Sequence, residues 1–209
     1  RGVCAFIVVH YHFLHFENQY GSFVESSNQA LATFDPIMEG SICVFFIISG
    51  YVMYMHMERN NFDLKLFLPF MAKRAIRLLI PMLVCIAFIL SINALFQWYL
   101  DQEVVFSLKQ LIANLTLSAN FVGEDWYNPI FWTLSIEFQF YLVLALSFKL
   151  IRKDPFAALI IITLACTAVN HFFYSKGLLV EFGSYFTIGI AMFLFSTKKF
   201  TAIQLLIIT

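Results

Sequence analysis

Charge is what this sequence has least of. Asp, Glu, Lys and Arg make up 12% of its 209 residues, while 61% are hydrophobic and 18% aromatic. A soluble domain carries about 25% charged residues, so this chain cannot cover a core with a water-facing shell, and an ordinary soluble globule is excluded. Lys and Arg number 13, as do Asp and Glu, and the net charge is zero; no basic footprint points to nucleic acid. Cysteine is sparse. Cys4, Cys43, Cys85 and Cys166 each lie inside an apolar stretch with no Cys-x-x-Cys spacing, which argues for buried free thiols over disulfides or a zinc site. No Gly-rich phosphate loop is present, since Gly183 and Gly189 are too sparse to form one. Internal repeats, linkers and low-complexity tracts are also missing.

What is there is a series of long apolar runs. A spanning helix needs roughly 20 mostly apolar residues. The runs predict spans at 2–16, 40–57, 77–99, 130–150, 155–175 and 179–197, with a seventh starting near 202. The expected fold is all-α: one polytopic transmembrane helix bundle over residues 1–209. Arg1 stands directly on an apolar run and the chain stops inside another, so the sequence reads as a fragment cut at both ends. Pro155 suits the first turn of its helix, and Pro81 sits near the start of the third. Segment 104–121 is amphipathic and too polar to span, which suits an interfacial or outer-loop position. The longest polar stretch is the expected loop 17–39, rich in Asn, Ser, Gln and acids.

The connections between these spans test the assignment independently. Counting Arg77 with the second, they hold 0, 5, 1, 3, 1 and 2 basic residues in chain order. With Arg1 included, 11 of the 13 fall on one side. This is the positive-inside pattern, and it puts Arg1, 58–76, 149–154 and 198–201 in the cytoplasm. The expected location is the cell (inner or plasma) membrane, with multiple passes.

Titratable groups within hydrocarbon are costly and usually face a cavity or a partner. The first run carries Arg1, His10, His12 and His15. At about 100° per residue Arg1 and His12 share a face, roughly 16 Å apart along the axis, while His10 points the other way. His12 and His15 have no clustered carboxylate or His-Glu-x-x-His pattern beside them, so no metal site is expected. The fourth run holds Glu137, with Thr133 and Tyr141 four residues away on its own face, where their hydroxyls can hydrogen-bond the carboxyl. Counted from the cytoplasmic ends of their helices, His12 and Glu137 both lie about 16–20 Å deep, so the two can meet. On the inner side, Arg74 and Arg77 stand one turn apart, a spacing suited either to clamping phosphates with two guanidinium forks or to ordinary anchoring.

Taken together, four blocks resemble the acyltransferase-3 family of membrane proteins, which includes O-antigen and exopolysaccharide O-acetyltransferases. They are Arg1-Gly2 with His12, Gly40 to Tyr51, Arg74-x-x-Arg77 followed by Pro81, and Trp132-Thr133-Leu134-Ser135-Ile136-Glu137-Phe138-Gln139-Phe140-Tyr141. Phe182 to Gly189 fits the pattern more loosely. Phe138 stands where many members have a second acid, and Cys43 where Asp is common. The family pattern has about ten helices, so some three further ones are expected beyond this sequence. The resemblance implies transfer of an acyl group, commonly acetyl, from acyl-CoA to a hydroxyl of a glycan or other envelope acceptor. Arg1, Arg74 and Arg77 are then the residues that meet the donor, His12 is the general base and Glu137 its acidic partner. Acyl-CoA is a substrate, and no permanently bound cofactor is expected. The competing reading is a transporter or proton-coupled channel in which His12 and Glu137 form a relay.

Overall fold

The computed structural model describes residues 2–3, 6–7, 24–102, 106–172 and 177–209, with side chains at 24–35 and 38 outside the description. Among the described residues the regular structure is entirely helical: α1 (Val24–Arg59), a 3₁₀ turn (Leu64–Leu66), α2 (Phe67–Tyr99), α3 (Leu108–Leu115), α4 (Ala119–Val122), α5 (Phe131–Lys153), α6 (Pro155–Phe172), α7 (Leu179–Ser196) and α8 (Ala202–Ile208). Among the described residues five stretches are long and apolar enough to cross a membrane: Glu39–Arg59, Leu64–Tyr99, Phe131–Lys153, Pro155–Phe172 and Leu179–Ser196. They coincide with the second to sixth expected spans. The first expected span lies almost wholly outside the described residues; Gly2, Val3, Phe6 and Ile7 are helical.

Two helix starts differ from the sequence expectation. Residues 24–38, read above as polar loop, belong to α1, with Pro36 inside it. Helix formation depends on backbone propensity, and Ser, Asn and Gln cost only tenths of a kcal/mol there; polarity decides whether a segment spans, not whether it coils. Likewise α2 begins at Phe67, so Lys73, Arg74 and Arg77 are part of a helix rather than of the loop before one. Pro81 consequently falls well inside α2, where it has no N–H to donate to the carbonyl of Arg77.

The chain forms two compact units. The first comprises Arg1–Asn60, Phe156–Leu164 and Phe182–Thr209; the second comprises Asn61–Pro155 and Ala165–Glu181. In the first, α1 and α7 cross at glycines. A Cβ at Gly50 collides with the carbonyl of Phe186, and one at Gly189 with the carbonyl of Ile47. Close backbone approach at small residues is how helices gain packing where lipid supplies no hydrophobic drive. Phe46 stacks nearby on Phe182 and Phe186, at 5.1 and 4.8 Å between centroids, and Lys199 pairs with Glu58 near the end of α1.

In the second unit α2 packs against α5. Met82, Ile86, Leu117 and Phe131 form a buried cluster that also takes in Trp126, Tyr127 and Phe138. At the basic end, Asp63 caps the 3₁₀ turn by accepting from the Lys65 amide at 3.0 Å, and it meets Lys149 at 3.4 Å. The Lys65 N–H and the Lys149 ammonium hold the Asp63 carboxyl below its usual range. At the other end the amphipathic α3 lies within the segment 104–121 expected to be amphipathic, and the four-residue α4 follows it.

Candidate functional site

Glu137 sits on α5 with only 3% of its surface exposed. A buried carboxyl requires hydrogen-bond donors, and the Tyr141 hydroxyl, one turn along the helix, donates to Oε1 of Glu137. The other hydroxyl expected there is used elsewhere. Thr133 donates to the carbonyl of Ile130 at 2.8 Å, a local acceptor that its short side chain reaches without crossing a full turn.

The Tyr141 ring is 1% exposed and carries a cation on its face. The Arg74 guanidinium lies 5.8 Å from the Tyr141 centroid and 5.5 Å from that of Phe70. Contacts of this kind contribute roughly 0.5–2 kcal/mol, more as water is removed. Arg74 is therefore turned inward and half-buried, whereas Arg77, one turn later, is exposed. The two arginines share a helix but differ in surroundings. Arg74, Tyr141 and Glu137 form a continuous run from cation to ring to carboxylate inside the second unit.

The opposite face of α5 holds a separate polar stripe. Ser135 is buried and donates to the carbonyl of Leu117 at 2.8 Å. Leu117 adopts φ 56°, a left-handed conformation rarely taken by a branched residue. Gln139 spans the turn before α7: its Nε2 donates to the Gly177 carbonyl at 3.1 Å, and its Oε1 accepts from the Leu179 amide at 2.9 Å. Positions 135 and 139 lie about 200° around the helix from 137, so one short segment serves two faces. Sequence reading missed these struts, although the four-residue spacing of Ser135 and Gln139 was visible. Asn114 was also missed. Fully buried, it donates to the carbonyls of Gln110 and Asp125 at 2.9 and 3.0 Å and accepts from the Tyr127 amide at 3.0 Å. Every polar atom of its amide is thus used to hold loop 125–127 against α3.

Arg1, His10, His12 and His15 lie outside the described residues. Among the described residues no group of three His, Cys, Asp or Glu side chains can hold a metal ion.

The fold and this site define a class: a polytopic helical membrane protein with a buried, hydrogen-bonded carboxyl in one of its spans. The model of a protein family described as an acyltransferase domain, acyltransferase-3, matches residues 1–206. The chain belongs to that family and is a membrane acyltransferase. No curated protein and no solved structure matches it.

Proposed function

We propose that the protein moves an acyl group, in the first instance acetyl, from cytoplasmic acyl-CoA to a hydroxyl of an extracytoplasmic glycan or other envelope acceptor. The observation that carries this reading is Glu137: a buried carboxyl, held by a hydrogen bond, within the Trp132–Tyr141 block of a chain that belongs to the acyltransferase family. In the reaction the acceptor oxygen attacks the thioester carbonyl carbon. The C–S bond breaks, an ester C–O bond forms, and the hydroxyl proton ends on the CoA thiol. His12 takes that proton first as general base, and Glu137 stabilises the resulting positive charge. Arg1, Arg74 and Arg77 receive the phosphates of the donor. Support for Arg74 comes from its inward, ring-stacked position, since a purely anchoring arginine extends its head into water.

Full-length protein in membranes, given labelled acetyl-CoA, is expected to place alkali-labile label on envelope glycan. Arg74→Lys with Arg77→Lys keeps the charge but loses the planar forks. The KM for acetyl-CoA should rise about ten-fold or more in this double variant while insertion stays normal. An unchanged KM assigns both residues to anchoring, and absence of any labelled glycan removes the reaction itself.

Orientation belongs to the same proposal. The distribution of basic residues supports a cytoplasmic position for Arg1 and for the segment between α1 and α2. With the four native cysteines replaced by serine, a cysteine introduced in 17–39 should react with an impermeant thiol reagent on intact cells. A cysteine introduced between Arg59 and Lys73 should stay unlabelled. The reverse pattern moves the donor to the wrong side and ends the proposal.

A further inference from the structure

At the end of the second unit away from Lys149, Arg152 and Lys153 lies a cleft of about 260 Å³, lined by Asn120, Trp126, Trp132, Gly177 and Glu181. We propose that this cleft is a subsite for one pyranose ring of the acceptor glycan, held between indole faces and anchored through its hydroxyls by Glu181 and Asn120. The proposal rests on the acyl-transfer reading above and extends it to the acceptor.

The chemistry of the lining carries the inference. Two indoles in one small cleft provide broad, rigid apolar faces with little rotamer entropy to lose. A pyranose has the matching form, with an apolar C–H face and a rim of hydroxyls that both donate and accept. The polar groups match that rim, because a carboxylate accepts from paired hydroxyls and an amide carries both N–H donors and a carbonyl acceptor. The volume lies just below the roughly 300–1,000 Å³ of drug-sized pockets, which is room for one ring.

The lining is also built in place. Trp126 donates from Nε1 to Oδ1 of Asn120 at 2.7 Å, which fixes the plane of that indole. The Asn120 amide packs directly over Gly177, where any Cβ would collide with it, and Gly177 adopts φ 87°. The Gly177 amide donates to Oε2 of Glu181 at 3.4 Å, and Gln139 ties the Gly177 carbonyl to α5. The glycine therefore sets two of the polar groups through its backbone and its missing side chain. Preorganisation of this kind lowers the ordering cost of binding. Trp132 and Gln139 belong to the same helix as Glu137, so a ring in the cleft sits at the head of the element that carries the buried carboxyl.

The test uses binding, so that it stands apart from activity. The chain has three tryptophans, and the third, Trp98, is exposed on α2; Trp98→Phe leaves the two cleft indoles as reporters. Full-length protein carrying that change, in an amine-oxide detergent without a sugar head, is titrated with the methyl glycosides of glucose, galactose, rhamnose and N-acetylglucosamine. At least one should shift the indole emission saturably, with a dissociation constant on the order of millimolar. Choline chloride, the probe for a cation cage of the same aromatics, should not. Glu181→Gln removes the charged acceptor, and Gly177→Ala pushes the Asn120 amide out of place; each should weaken the response about ten-fold or more. Silence from all four glycosides, saturation by choline alone, or full binding in both variants overturns the subsite. Wild-type transfer without glycoside binding sinks the cleft and leaves the reaction standing. Glycoside binding without transfer does the opposite.

Discussion

Glu137→Gln is expected to lower acyl transfer by about 10²–10⁴-fold in the full-length protein, with expression and insertion unchanged. The substitution keeps the volume of a side chain that is 3% exposed. It also keeps an amide oxygen able to accept the hydroxyl of Tyr141, so the hydrogen bond seen in the structure survives and only the charge is lost. If Glu137 served merely as the partner of Tyr141, the glutamine variant would stay active. Tyr141→Phe makes the reciprocal change: it keeps the carboxylate, removes the donor, and leaves the ring beneath Arg74. Its loss should be near ten-fold, the cost of one hydrogen bond to a charged acceptor. The order of the two effects matters more than either size, because a structural role reverses it.

His12 enters the same experiment from the sequence alone. His12→Ala should abolish most transfer, and the His12→Ala, Glu137→Gln double variant should be scarcely worse than either single one. Groups that serve one step fail together, and the second loss then costs little. Multiplicative losses separate their roles. Full activity in His12→Ala removes the proposed base.

Hydropathy made the spans legible because apolar length is a direct reading of membrane thickness. It missed α1 before Glu39, where helix continues through polar residues, and α2 before Arg77, where Lys73, Arg74 and Arg77 interrupt the apolar run. The Glu137–Tyr141 bond could be read from its four-residue spacing, since both ends lie on one helix. Arg74 on the Tyr141 ring could not, because that contact joins α2 to α5 and no periodicity records which faces two helices share. The cleft around Gly177 was less visible still. Its lining comes from α4, the 123–130 loop, the start of α5, the turn at Gly177 and the start of α7, and only folding makes those segments neighbours. Gly50 and Gly189 were legible as motif letters of the Gly40–Tyr51 and Phe182–Gly189 blocks, but their physical reason, an α1–α7 crossing, is visible only in the fold.

That crossing sets the largest expected effect on stability. A Cβ built on Gly189 overlaps the Ile47 carbonyl oxygen and comes 2.8 Å from the Tyr51 amide nitrogen; one on Gly50 overlaps the Phe186 carbonyl oxygen and comes 3.1 Å from the Phe186 Cα. These neighbours are backbone atoms of regular helices, which cannot rotate aside as a flexible side chain can. Overpacking commonly costs about 1–3 kcal/mol, occasionally more, and here two helices must separate to admit one methyl group. Gly189→Ala and Gly50→Ala should each fall at or above the upper end of that range, a shift of about 100-fold in the folded-to-unfolded ratio. Because both glycines serve one crossing, the double variant should cost less than the sum of the two. Gly40→Ala is the internal control: it lies on the same helix α1, with nothing within 4 Å of its Cβ. Thermal challenge in detergent followed by size-exclusion chromatography of full-length protein reads the difference directly. Wild-type and Gly40→Ala profiles should coincide, while the two crossing variants aggregate at clearly lower temperature. Equal profiles for all four proteins would mean that α1 and α7 do not meet at these glycines.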